Sequence, residues 1–254
     1  MNGLYKTGGL VLRTRNLGEA DKIVTLYTKK RGKIEAVARG SRRIRNRLLG
    51  STQVFTYGQY LIFEGRSLDT IAQGEIVFSF QSLRDDLEKM AAAMYICELV
   101  DVFTEVDVPN DATFTLIYNT LRMIDERQIK FALRTFELIF IKQLGYQPQL
   151  STCLNCGNTV ENDVYFSREG GIVCHNCRAK MAPVRKLNKG TLELIKRILE
   201  WDWSRIGILH PSDQSLAELE LCMRDYLDYR LDRPLRSLEF IHTLKEFDHS
   251  EVKD

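Results

Sequence analysis

The spacing of hydrophobic residues along this chain changes once, near residue 80. Before that point, apolar or alternating runs occupy residues 9–14, 22–28, 32–39, 55–64 and 68–77, separated by turn formers such as Asn16, Gly18 and the step Gly65-Arg66-Ser67. Alternation sends successive side chains to opposite faces, so each run predicts a short strand with one buried face. Five such strands within residues 1–80 are the content of a small closed barrel; an OB-type barrel is expected, with an SH3-like barrel as runner-up.

From Ser82 the spacing becomes three and four, as in Leu83, Leu87, Met90, Met94 and Cys97, and the pattern runs past Phe103 to Pro109. Asn110 or Asp111 can cap a second stripe (Phe114, Ile117, Tyr118, Leu121, Ile124), and a third (Ile129, Leu133, Phe136, Phe140) stops at Gly145. Later, Asn188 opens a helix with Leu192, Ile195, Ile198 and Leu199 inward, Ser215 and Glu218 form a capping box, and Arg233-Pro234-Leu235 opens a short last helix before a fraying tail at 249–254. This periodicity predicts amphipathic helices with a buried stripe, so the aromatic and methionine positions are core. The expected fold is α+β and multidomain: a five-stranded OB-type barrel in 1–80, then an α-helical bundle in 81–254 interrupted by an insertion at 150–182.

Composition adds little, but charge adds a great deal. Hydrophobic residues at 44% and charged residues at 28% are ordinary for a globular protein. No apolar run approaches the roughly 18–20 residues of a membrane span, and the opening MNGLYKTGGLVLRTR has no leader-like apolar core, so a cytoplasmic protein is expected. The net charge is only +2, yet residues 29–47 carry nine cations against Glu35, 9 − 1 = +8, which leaves 2 − 8 = −6 elsewhere. Such segregation steers polyanions. Lys33, Glu35 and Val37 alternate with Ile34, Ala36 and Ala38 before Arg39-Gly40-Ser41-Arg42-Arg43 turns, so strand and loop cations are expected on one phosphate-binding surface. Its residues are Lys30, Arg31, Lys33, Arg39, Arg42, Arg43, Arg45 and Arg47; the plainer reading of the same residues is a solvated basic loop.

The insertion holds Cys153-Leu-Asn-Cys156 and Cys174-His-Asn-Cys177, two C-x2-C pairs separated by seventeen residues. Each pair delivers two thiolates from one turn, and Zn²⁺ favours four such ligands in a tetrahedron. Val164-Tyr165-Phe166 and Gly171-Ile172-Val173 around Arg168-Glu169-Gly170 predict the hairpin that brings the pairs together. Four thiolates close the coordination sphere, so the expected role of one zinc ion is structural. Two disulfides, an iron–sulfur cluster, or His175 as a substitute ligand are the alternatives. Cys97 and Cys222 fall on apolar stripes and read as buried.

No catalytic set is found: there is no GxxxxGK[ST], GxSxG or HExxH pattern, and the H-x-E of His249 and Glu251 follows the cysteine pairs where a zinc deaminase has it before them. The expectation is a protein that is not an enzyme.

Taken together, Ala38-Arg39-Gly40-Ser41-Arg42-Arg43, the opening Gly9-Leu10-Val11-Leu12 with Gly18-Glu19-Ala20-Asp21-Lys22, and the four-cysteine insertion resemble the RecO family of bacterial recombination mediators. One departure is Ser41, where that turn often has alanine. The resemblance implies an OB domain that binds single- and double-stranded DNA without ATP. It also implies annealing of complementary strands, including strands coated by single-strand binding protein, and help in loading RecA together with RecR and, in some settings, RecF. It places the protein in the bacterial cytoplasm, associated with the nucleoid and not with a membrane. Tyr27, Phe55, Tyr57 and Tyr60 are near enough to the cations in sequence to offer base stacking, although burial is expected for at least half. A second hypothesis is an interaction scaffold whose basic face meets an acidic partner; the acidic tail of single-strand binding protein is one such partner, with Arg122 or Arg134 as candidate contacts.

Overall fold

A computed structural model of the protein describes residues 3–126, 128–161, 163–231, 234–241 and 243. Arg233, His249 and Glu251, and the tail from 249, lie outside the described residues. Two compact units divide the chain: residues up to 129 with those from 235 onward, and residues 130–234.

In the first unit, β1 (Leu4–Leu17), β2 (Asp21–Thr28), β3 (Gly32–Ala38), β4 (Tyr57–Phe63) and β5 (Asp69–Phe78) close a barrel in the order β1-β2-β3-β5-β4. Closure depends on the length of β1, which is longer than its apolar run. Its second half pairs with β2, from Gly9↔Thr28 to Leu17↔Asp21, and its first half pairs with β4, from Leu4↔Phe63 to Leu10↔Tyr57. The β3–β5 contact is parallel, with Ala36 opposite Asp69. Every second side chain points inward, and Val11, Leu26, Ile34, Ile62 and Ile71 form the core. The short α1 (Leu48–Ser51) adds Leu48 to this core, and the Tyr60 hydroxyl donates to the Ser51 carbonyl at 2.7 Å.

The first helical stripe is two helices, α2 (Gln81–Asp85) and α3 (Leu87–Phe103). Asp86 is extended between them, and its carboxylate caps α3 by accepting the Lys89 N–H at 3.0 Å. Asn110 caps α4 (Asp111–Asp125) through the Thr113 N–H. Residues 236–241 are helical, and the Glu98 carboxylate on α3 accepts the N–H groups of Arg236 and Ser237 at 3.1 and 2.8 Å.

The second unit contains α5 (Ile129–Gln143), the hairpin β6 (Val164–Ser167) and β7 (Gly171–Val173), a third strand β8 (Val184–Leu187), then α6 (Lys189–Glu200), α7 (Trp203–Ile206) and α8 (Asp213–Asp228). The sheet order is β7-β6-β8, so the predicted hairpin gains a third strand that pairs with β6. Asn188 caps α6 as predicted. The capping box does not form: Ser212 caps α8, while Glu218 reaches across to accept the Asn188 N–H at 3.0 Å and the Thr191 hydroxyl at 2.9 Å. Burial opposes ionisation of Glu218, but these donors outweigh it and hold its carboxyl below the usual range. Among the described residues, no helix is long and apolar enough to cross a membrane.

Candidate nucleic-acid interface and metal centre

The basic stretch is folded, and β3 runs through its middle. Seven strand residues at about 3.3 Å each separate its two ends by roughly 20 Å. At the far end, after Ala38, Arg39, Arg42, Arg43, Arg45 and Arg47 are all exposed. Their backbone is ordered by local bonds. Gly40 sits at φ +65°, where an added Cβ would lie 2.6 Å from the Asn46 amide nitrogen, so glycine is required there. The Gly40 N–H donates to the Asp21 carboxylate at 2.7 Å, the Arg42 N–H to the Ala20 carbonyl at 3.0 Å, and the Arg42 Nη1 to the Gly18 carbonyl at 2.8 Å. Successive turns are closed by Arg43 N–H to Gly40 and Asn46 N–H to Arg43, while the Asn46 side chain donates to the Arg39 carbonyl and accepts from Leu48. The loop is therefore pinned to the β1–β2 turn. Among the described residues, no carboxylate lies within ion-pair distance of these five guanidinium groups.

The other end differs. Arg31 is half-buried and meets three carboxylates, Asp107 at 2.7 Å, Asp69 at 3.3 Å and Glu64 at 3.4 Å, with its guanidinium over the Tyr5 ring. Burial works against its charge, but Tyr5, Asp107 and Asp69 outweigh it and raise its pKa further. Lys33 is 8% exposed; its amine donates to the Asp101 carbonyl and lies 3.5 Å from the Asp101 carboxylate. In this arrangement Arg31 and Lys33 face protein carboxylates rather than solvent, because residues far away in sequence supply acids to exactly the positions where period-2 alternation alone suggested free cations. Lys30 is exposed, but it lies in the β2–β3 turn, at the end of β3 opposite the arginine loop, and Lys29 beside it sits over the rings of Tyr57 and Phe114.

Lys22 is the cation the sequence reading passed over. It pairs with Ala38 across the β2–β3 ladder, which places it at the start of the arginine loop, and the hairpin register was the signal that contained it. Burial and then the nearby Arg42 charge lower its pKa. Arg13 and Arg15 extend the outward face of β1 but share Glu35, at 3.4 and 3.2 Å. The four candidate aromatic residues offer no stacking platform: Tyr27, Phe55 and Tyr60 are buried, and Tyr57 packs edge-on against Phe114 and Tyr118 at 5.6 and 5.5 Å. Of the two candidate tail contacts, Arg134 is buried against Glu137 at 2.9 Å, and Arg122 lies over the Phe78 ring.

In the second unit, the Sγ atoms of Cys153, Cys156, Cys174 and Cys177 all lie within 4.8 Å of one another, and Cys156 and Cys174 are 3.9 Å apart. A tetrahedral ion with bonds of about 2.3 Å to sulfur needs sulfurs about 3.8 Å apart, so the set fits a metal. The site has the donors that thiolates require: the Cys174 N–H points at the Cys153 sulfur at 3.4 Å, and the Asn155 amide at the Cys177 sulfur at 3.2 Å. Burial opposes ionisation of Cys153, but N–H groups of Cys174, Cys156 and Asn155 bring its thiol down to about 6. His175 lies 3.8 Å from Asp163 and is outside the cluster. The three-stranded sheet beside this site is tied to α8 and the turn after it: Arg230, just past α8, donates to the Arg168 and Glu169 carbonyls of the hairpin turn at 2.9 and 3.0 Å, and Arg185 on β8 forms a two-bond pair with Asp225 on α8.

Family models described as "Recombination protein O N terminal" and "Recombination protein O C terminal" match residues 1–80 and 84–239. The chain is 40% identical over 248 residues to the "DNA repair protein RecO" of Symbiobacterium thermophilum, covering 95% of this chain and 98% of that one. It is 39% identical over 239 residues to the protein of the same name from Pelotomaculum thermopropionicum (94% and 93% covered), and 32% over 252 residues to that of Listeria welshimeri (99% of each).

Proposed function

The chain belongs to the RecO family of DNA repair proteins, and from that premise we propose that it binds DNA through the ordered arginine loop at the end of β3. The observation that supports this most is the loop itself: five exposed guanidinium groups on a backbone fixed by Asp21, Ala20 and Asn46. A guanidinium fork matches a phosphate in shape and charge, and a preformed loop loses little freedom on binding. Arg39, Arg42, Arg43, Arg45 and Arg47, with Lys22 beside them, are the phosphate contacts; Arg31 and Lys33 hold the barrel to its acidic neighbours, and Lys30 is a peripheral contact at best.

Such a surface reads phosphates and leaves base edges free. Two strands neutralised side by side repel each other less, so complementary bases can pair while both are held, which is annealing without ATP and without a catalytic residue. Single- and double-stranded DNA, strands coated by single-strand binding protein, and the loading of RecA with RecR are the substrate and partners that this role entails. The four thiolates hold one structural Zn²⁺, and the protein works in the bacterial cytoplasm at the nucleoid.

The test is the double substitution Arg42→Glu with Arg43→Glu, measured by fluorescence anisotropy on a mixed-sequence single strand. Removal of two phosphate contacts lowers the dependence of log affinity on log salt by about 1.4, and affinity at moderate salt falls on the order of 100-fold, while metal content and unfolding midpoint stay unchanged. Unaltered affinity and slope would overturn the assignment.

A further inference from the structure

Within the arginine loop lies one side chain that phosphate binding does not explain. Ile44 is 91% exposed, more than any other large hydrophobic residue described; the next, Ile208, is 69% exposed. Single exposed apolar residues are common, but the position of this one is unusual. The bond from the Asn46 N–H to the Arg43 carbonyl makes residues 43–46 a turn, with Ile44 at its first corner. Turn corners favour Gly, Pro, Asn, Asp and Ser, and a β-branched aliphatic residue there contributes nothing to the turn. Arg42, Arg43, Arg45 and Arg47 surround it in sequence and are exposed as well. The four candidate aromatic residues are buried or packed, and Leu17 beside the loop on β1 is 40% exposed, so Ile44 is the most exposed apolar group presented among the cations.

We propose that Ile44 is a base-contacting residue: it lies against the faces of unstacked bases in a single strand whose phosphates the flanking arginines hold. This rests on the reading of the loop as a phosphate site and adds to it the source of a preference for single strands. Base faces are apolar and open to water in a single strand, whereas in a duplex they are covered by stacking, so an aliphatic side chain at the apex reaches the former without the cost of unstacking that the latter imposes. Aliphatic residues serve as wedges against base steps in other settings, which shows that the chemistry needs no aromatic ring. The tightness of the turn matters, because a wedge on a mobile loop would lose in ordering what it gains in contact.

The experiment compares the wild-type protein, Ile44→Ser and Ile44→Leu on a single strand carrying one 2-aminopurine and on the matching duplex, each across a salt series. The expected result for Ile44→Ser is roughly tenfold weaker binding to the single strand, the part of an isoleucine's burial that base faces supply. Duplex affinity stays within about twofold, the salt slope is unchanged, and the 2-aminopurine emission change seen with wild type is lost. Ile44→Leu keeps both the affinity and the emission change. If wild type binds neither DNA with a salt slope, the phosphate reading fails and this inference falls with it. If wild type binds as expected and Ile44→Ser matches it on both DNAs, only the base contact is overturned. Equal weakening on strand and duplex, or a smaller salt slope, would show that Ile44 acts through the shape of the loop, and would also overturn it.

Discussion

The two ends of β3 carry the same kind of residue and do opposite things. At the Lys33 end, cations meet anions: Arg31 faces Asp69, Asp107 and Glu64, and Lys33 faces Asp101. At the Ala38 end, among the described residues, no carboxylate pairs with the five guanidinium groups, and the charge of Arg42 adds to burial in lowering the pKa of Lys22. Like charges held together cost stability in the free protein and would be relieved by a polyanion, which is the difference the proposed DNA contact rests on; the Lys33 end already has its carboxylates.

The comparison breaks most visibly at Asp69, whose side chain is 9% exposed and accepts from the Tyr5 hydroxyl at 2.7 Å, the Gly65 N–H at 3.0 Å and Arg31. Asp69→Ala leaves the Tyr5 hydroxyl and the Gly65 N–H without their acceptor and takes away one of the three carboxylates around Arg31, and is expected to destabilise the first unit by about 2 kcal/mol in urea unfolding. The salt slope of DNA binding by the folded fraction should not move. A changed slope would place Arg31 among the phosphate contacts after all.

Asp21→Ala acts at the opposite end and should reverse that pattern. It removes the acceptor of the Gly40 N–H; stability falls by about 1 kcal/mol, while strand affinity falls about fivefold because the loop is no longer held ready. Normal affinity in this variant would mean that the order of the loop is irrelevant to binding.

Ser41 lies beneath the same loop, fully buried, with a hydroxyl that has no hydrogen-bond partner among the described residues. Ser41→Ala removes an unsatisfied group and should raise stability by up to about 1 kcal/mol without changing DNA affinity. Thermal unfolding with a parallel binding isotherm checks both halves.

The smallest effect is in pH. The folded protein disfavours charged Lys22, so its proton leaves below the ordinary lysine value, and the stability lost to this charge is regained as pH rises through the depressed pKa. Bound phosphate favours the charged form. Strand affinity should therefore fall by about two- to fivefold as pH rises through that range, with proton uptake on binding, and Arg42→Gln should move the effect to higher pH. Titrations of wild type and Lys22→Met on the same strand isolate it.

Much of this was legible from residue spacing. The five strands, the Asn110 and Asn188 caps and the four thiolates follow from local chemistry: alternation, cap preference and C-x2-C geometry each involve residues a few positions apart. What was not legible depends on partners far away in sequence. Nothing near Arg31 announces Asp69 or Asp107, and nothing near Ser215 shows that Glu218 would serve Asn188 instead of its own helix. Lys22 was hidden differently: it joins the arginine loop through strand pairing, so a count of charges in one continuous stretch could not include it. Tyr27 and Tyr60 fall among the half of the aromatic candidates expected to be buried; β-propensity and stacking chemistry favour the same ring, and the inward phase of the pleat decides between them.

The ties between the metal hairpin and α8 make their folding one event. Arg230 holds the hairpin turn, Arg185 on β8 holds Asp225, and a side chain at Gly170 would press on the Tyr226 ring, 2.6 Å away. An ion held by the four sulfurs at one end would therefore be expected to add amide protection along the helix at the other. Metal occupancy becomes a condition on the cooperativity of the whole second unit, and its loss would be sensed first as faster hydrogen exchange in a segment that contains no ligand.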